Sequence, residues 1–200
     1  AANAEIAAIT RIDLDHQEYL GNTIEEIAAE KAAIIRQGSS VVIGAQDPRA
    51  LSVILERCKK LGIFPHSANK QFIFQLDVSS VSDSVGEFDT GPPSDLGVQL
   101  GLNGRHQVEN AHTALMVAST LAIDFGFDIS EDQIKAGLKH AQHPGRLERI
   151  GRFLLDGAHN PSGAKALRAY LDEFVSEPIT LVFGAMRDKS VGGIAEVLWR

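Results

Sequence analysis

Residues 156–164 read Asp156-Gly157-Ala158-His159-Asn160-Pro161-Ser162-Gly163-Ala164, and the run Arg152-Phe153-Leu154-Leu155 stands directly before them. An Asp that closes a short apolar strand, followed by a tight Gly-Ala turn and a His-Asn pair before Pro, is a strand-to-helix corner. Asn160 suits the N-cap, and Pro161 suits the first helical position, where its missing N–H costs nothing. In open α/β sheets ligands gather at such corners, outside the carboxyl ends of the strands.

Outward from the corner, the pattern predicts a strand over 152–156, a helix over 161–174 and a strand over 179–184. The Pro- and Gly-bearing stretch 143–150 reads as a linker. Upstream, Thr23 and Glu26 have capping-box spacing ahead of a helix running to about Gln37, which Gly38 ends. A buried strand is expected over 41–44, and Asp47-Pro48 opens a helix to about Lys60. Residues 72–76 and 97–100 read as β segments, with a Ser-, Asp-, Gly- and Pro-rich loop over 79–95 between them, and His106 and Gln107 read as the end of a β segment. Ala111, Leu115, Ala118, Leu121, Ala122 and Phe125 mark a long amphipathic helix, and Ser130 with Gln133 caps another through about His140. Strands alternating with helices predict a parallel α/β sheet, and the restart after the linker predicts a second unit, dividing the chain into 1–145 and 146–200.

Composition narrows the class. The 200 residues are 44% hydrophobic and 22% charged, ordinary for a globular protein, and no run approaches the roughly 20 apolar residues of a membrane span. With a net charge of −7 and no basic stripe interleaved with aromatics, nothing points to nucleic acid. Cys58 is the sole cysteine, which excludes an internal disulfide and suits a reducing cytoplasm; its spacing with Leu51, Ile54, Leu55 and Leu61 predicts a buried thiol. The opening AANAEIAAITRID lacks both an initiator Met and the features of a secretory signal, so the sequence is expected to begin inside a longer protein. No G-x-x-x-x-G-K-[ST] phosphate loop occurs, and the 200-residue piece alone is expected to be inactive.

Several residues carry chemistry. Ile24, Ile27, Ala28, Lys31, Ile34 and Ile35 follow helical spacing, which predicts that the Lys31 amine faces the buried side. Desolvation there favours the neutral amine, which reacts with CO₂ to give a carbamate. His16 follows Ile12 and Leu14, where a strand end would present it to a ligand. Asn110 opens the long helix with an amide that both donates and accepts. Arg146 lies in the linker, and its guanidinium can hold phosphate oxygens bidentately; pairing with Glu148 at the surface is its other reading.

Taken together, D-H-x-x-x-L-G-x-T at 15–23, G-R-H-Q-x-x-N-A at 104–111, P-G-R-L-E at 144–148, D-G-A-H-N-P at 156–161 and F-G-A-M-R-D-K at 183–189 resemble the folylpolyglutamate synthase/dihydrofolate synthase branch of the Mur ligase superfamily. The resemblance covers essentially the whole chain. It departs at His143, where the family usually has Trp, and at Ser190, where it has an acidic or amide residue. It implies the later part of a parallel-sheet, P-loop-type ATPase domain followed by the start of a smaller Rossmann-like α/β domain. It also implies a cytoplasmic ATP-dependent ligase that adds L-glutamate to a folate or dihydropteroate carboxylate through an acyl phosphate, with Mg²⁺ and ATP. Carried over by position, His16 and a carbamylated Lys31 would serve Mg²⁺. Asn110, Arg146 and Asp156 would bind ATP, and His159 would lie near the nucleotide and the incoming amino acid. Another Mur-type amide ligase, and a nucleotide-binding module without catalysis, stand as alternatives.

Overall fold

The computed structural model describes residues 4–15, 17–68 and 98–199. The first unit is built on strands β1 (Ile6–Ile9), β2 (Ser40–Ile43) and β3 (His66–Ser67), parallel and in that order, with Ile6 opposite Ser40 and Ile9 opposite Ile43. Between them run α1 (Gln17–Leu20), α2 (Ile24–Ala32) and α3 (Pro48–Lys60). Alternation along β1 and β2 divides the core. Ala7, Ile9, Val41 and Ile43 pack with Ile27 and Ile35 of the α2 segment and Ile54 and Cys58 of α3. Val42 faces the other way, against Met116 of α4 (Arg105–Phe125). Because β2 is covered on both faces, it reads as a continuous apolar run. Burying an Ile as fully as Ile54 contributes roughly 1.5–3 kcal/mol.

The local signals for helix starts hold. Thr23 and Glu26 form the reciprocal capping box, Asp47 accepts the Arg49 N–H ahead of Pro48, and Ser130 with Gln133 boxes α5 (Glu131–His140). Cys58 is buried and free, and burial pushes its thiol up.

Several expectations require correction. The helix α2 ends at Ala32 rather than near Gln37, so Ile34 lies past the helix and is 55% exposed. The buried face is Ile24, Ile27, Ala28 and Ala32, and Lys31 is exposed, not turned towards the core. β1 stops at Ile9, so Ile12 and Leu14 belong to the following loop. His106 and Gln107 lie in the first turn of α4 rather than closing a strand, which moves Asn110 to the second turn. The fully buried positions of α4 include Thr113 and Thr120, whose hydroxyls donate to the carbonyls of Glu109 and Met116. Residues 98–100 form no strand, and 69–97, including the expected β segment at 72–76, lie outside the described residues.

The second unit opens with an antiparallel hairpin, β4 (Glu148–Ile150) and β5 (Phe153–Leu155), turning at Gly151 with φ +58°. The expected strand over 152–156 is thus present, but its partner comes from the stretch read as linker. Next come α6 (Pro161–Phe174), with the expected bounds, and α7 (Val191–Leu198), packed through Ala164, Ile194 and Leu198. Residues 179–184 form no strand; Val182 is 92% exposed. An Arg105–Glu173 fork, at 2.8 and 2.5 Å, ties the start of α4 to α6.

Candidate active site

The site grows from the carboxyl end of β1. The Gln46 side chain holds the loop there: its Nε2 donates to the carbonyls of Thr10 (2.6 Å) and Ile9 (3.3 Å), and its Oε1 accepts the Ile12 N–H (2.9 Å). This places Asp13 and Asp15 above the sheet edge.

The corner at 156–162 meets them. Asn160 caps α6, its Oδ1 accepting the Gly163 N–H at 2.7 Å, while its Nδ2 donates to Asp15 Oδ2 at 3.0 Å. His159 Nε2 stands 3.1 Å from the same oxygen, and its Nδ1 stands 2.8 Å from the Gly157 carbonyl. Both ring nitrogens therefore face oxygen acceptors. Lys189 Nζ donates to Asp15 Oδ1 at 3.3 Å and lies 3.4 Å from Asp188. Its side chain is 9% exposed. Desolvation pulls the ammonium down, yet the hydrogen bonds and charges of Asp15 and Asp188 outweigh it and hold the group above its ordinary value. Ser162 Oγ donates to Asp13 at 2.6 Å.

A second constellation lies where the units join. Leu147, with φ +48°, is the non-glycine residue in the left-handed region among the described residues, and its side chain is 1% exposed. Asp156 holds it there. One carboxylate oxygen accepts the Leu147 N–H at 3.0 Å, and the other accepts the Ala158 N–H at 2.9 Å. Asn103 Nδ2 donates to the Leu147 carbonyl at 3.1 Å. Gly104, with φ +96°, touches the same side chain: a Cβ there would stand 2.7 Å from Leu147 and 2.7 Å from the His106 ring. Burial lowers the His106 pKa, and the charges of Asp156, Arg146 and Glu109 also act on the ring. Gln107 Nε2 meets His106 Nε2 at 3.1 Å, and Asn110 Nδ2 donates to Gln107 Oε1 at 2.9 Å.

Arg146 and Asp156 thus come close enough to act on one histidine, and Asn110 joins them through Gln107. Glu148 accepts the Gly145 N–H at 2.8 Å and is not the ion-pair partner of Arg146, whose side chain has none among the described residues. His159 stands at the Asp15 centre. Lys31 is apart on the exposed face of α2, and His16 lies outside the described residues. Sequence reasoning passed over Asp13, Asp15, Ser162 and Lys189, although Asp15 belongs to the quoted D-H pair and Lys189 to the quoted D-K pair.

The Mur ligase middle-domain model matches residues 1–118, and the model for the Mur ligase glutamate ligase domain matches 145–199. The chain belongs to the Mur ligase family. Relatives of this Mur ligase chain include the dihydrofolate synthetase of Saccharomyces cerevisiae, 34% identical across all of this chain and 48% of the relative. The dihydrofolate synthase/folylpolyglutamate synthase of Bacillus subtilis is 35% identical, over 92% of this chain and 44% of its own. The chain therefore spans about half the length of these relatives. Its fold is that of a folylpolyglutamate synthase solved with AMPPCP and folate, at a TM-score of 0.79 and 30% identity, covering 98% of this chain and 48% of that one. The mixed α/β architecture with a parallel sheet agrees with that fold.

Proposed function

We propose that the full-length Mur ligase to which this chain belongs joins L-glutamate to the carboxylate of a folate or dihydropteroate in an ATP-dependent reaction. A carboxylate oxygen attacks the γ-phosphorus and ADP leaves. The glutamate amine then attacks the acyl carbon, phosphate leaves with the C–O bond electrons, and the nitrogen gives up a proton. The observation that carries this reading is the convergence of His159, Asn160 and Lys189 on Asp15, which sets cationic and amide donors beside the carboxyl end of β1, where the acyl phosphate's charge needs neutralising.

Within this reading Arg146 and Asn110 hold the nucleotide, both having polar atoms left over after their contacts within the chain. Asp156 contributes by shaping the joint around Leu147 as well as by any contact of its own. His159 is assigned to the reacting centre. Among the described residues no three His, Cys, Asp or Glu side chains converge as a metal cage. Mg²⁺ needs no such cage, since it is commonly held by one or two carboxylate-type ligands, waters and substrate phosphates. The resemblance would give the ion a Lys31 carbamate and His16, but Lys31 is exposed, so the desolvation that would free its amine for CO₂ is absent at that position. The ion would neutralise phosphate charge. The boundary between the ATPase part and the C-terminal part is assigned to 145/146, a reading supported by the left-handed Gly145 and Leu147. No helix among the described residues is long and apolar enough to cross a membrane, and the lone buried thiol suits a reducing cytoplasmic setting.

The test is a substrate panel with the full-length protein. ATP- and glutamate-dependent product with dihydropteroate or tetrahydrofolate supports the reading. Product only with UDP-muramoyl peptides reassigns the branch, and no product with either removes the ligase.

A further inference from the structure

Helix α6 is fastened to the first unit at both of its ends. At its start, Asn160 donates to Asp15 at 3.0 Å and Ser162 to Asp13 at 2.6 Å. At its end, Glu173 receives the Arg105 guanidinium as a parallel fork, Nε on one carboxylate oxygen at 2.8 Å and Nη2 on the other at 2.5 Å. The 14 residues of α6 set these anchors roughly 20 Å apart.

Both members of the fork stand at the helix end that suits them least. Arg105 is the first residue of α4, where the macrodipole favours an anion, and Glu173 lies in the last turn of α6, where it favours a cation. Gly104 adds no side-chain cap at the start of α4 to offset this. The Arg105 side chain is 65% exposed, and exposed ion pairs add little to folding stability. A pair that local helix preference opposes on both sides marks a place where function overrides it. What the pair joins is the helix start carrying His106, Gln107 and Asn110 to the helix whose own start carries His159 and Asn160.

The geometry points to Arg105 as a positioning residue: through Glu173 it fixes the far end of α6 and so sets the angle at which His159 and Asn160 meet Asp15. A bar held at one end pivots; held at both, it does not. The effect on turnover rests on the ligase reading, whereas the clamp rests on the fork alone. Displacements on the order of 1 Å at a reacting centre cost on the order of a hundredfold in rate, so release of one end should cost about tenfold.

The full-length protein carrying Arg105→Ala, Glu173→Ala, both changes, or the swap of Arg105→Glu with Glu173→Arg provides the test. In either single variant kcat should fall about tenfold with KM for ATP and for the acceptor held within about twofold, and the double variant should fall no further, since both residues act through one contact. Exchange of the amides between 158 and 163 should quicken in the same variants, and that of Val41–Ile43 should not. The swap rebuilds the pair and puts each charge at the helix end that favours it. It should therefore return kcat and exchange to wild-type levels, with a thermal midpoint at or above that of wild type. An active enzyme whose kcat is unchanged in both single variants overturns the proposal. So does a swap that regains the thermal midpoint but neither kcat nor exchange, which leaves the pair a surface contact of the fold. Should exchange respond to the single variants and to the swap in a protein that forms no product with any acceptor, the ligase reading falls while the clamp stands.

Discussion

The carboxylate of Asp156 accepts the backbone N–H of Leu147 at 3.0 Å and so holds a buried leucine in left-handed backbone geometry at the joint between the two units. An L-residue rarely rests in this conformation, at a cost of roughly 1–3 kcal/mol, and the surrounding contacts must over-determine it. Asn103, Asp156 and the buried Leu147 side chain do so together.

Asp156→Asn keeps the shape but replaces one acceptor oxygen by a donor, so one of the two N–H groups loses its partner. The expected destabilisation is about 1–3 kcal/mol. Urea unfolding of the variant checks it; an unchanged midpoint would show that these bonds do not hold the joint.

Gly104→Ala is expected to cost more than an ordinary surface change. Its φ of +96° and ψ of 141° disfavour an L-residue, and the new Cβ would press on Leu147 and His106 at 2.7 Å. A loss of at least about 2 kcal/mol follows from backbone strain plus overpacking. Thermal melting gives the measurement, and a neutral outcome would mean that the start of α4 can shift.

These two cases show what sequence alone can deliver. Thr23 with Glu26, Ser130 with Gln133, Asp47-Pro48 and Asn160-Pro161 were legible because each cap joins a side chain to a backbone group two or three residues away. Gly104 begins α4 with no side-chain cap bond, so His106 and Gln107 lacked a helix-start signal and passed for a strand. The Lys31 stripe misled because it counted Ile34, beyond the last turn of α2; the true face rotates onto Ala32. Asp15 was hidden differently. It stands in the quoted D-H pair, but nothing local shows its partners, since the residues that converge on it arrive from another unit.

Arg146→Ala in the full-length protein should raise the KM for ATP by about tenfold or more and leave the KM for the folate acceptor nearly unchanged, the signature of a charge-assisted phosphate contact worth roughly 1.5–3 kcal/mol. Steady-state kinetics with each substrate varied in turn decides this. Equal ATP kinetics in variant and wild type would return Arg146 to the surface.

Acid should weaken the joint through His106. Burial lowers its folded pKa below the ordinary 6.5, so between the two values the unfolded chain binds more protons than the folded one. The stabilisation is complete above the unfolded pKa and is lost as pH falls through 6.5 towards the folded value. His106→Gln should therefore show a smaller drop in thermal midpoint than wild type between pH 7.5 and pH 5.5, roughly one unit either side of the ordinary histidine value. Parallel curves would exclude the histidine as the titrating group.

The donors to Asp15 come from 144, 145 and 174 positions along the chain. Contacts of such long sequence separation are slow to form, because chain-closure entropy must be overcome before they yield any stabilisation. The β1–β2 sheet with its helices, and the α6–α7 pair, each rest on nearer partners. The Asp15 centre is therefore expected to open before the sheet core, so amide exchange around His159 and Lys189 should outrun that of Val41–Ile43. The centre then exists only as long as the two units stay together.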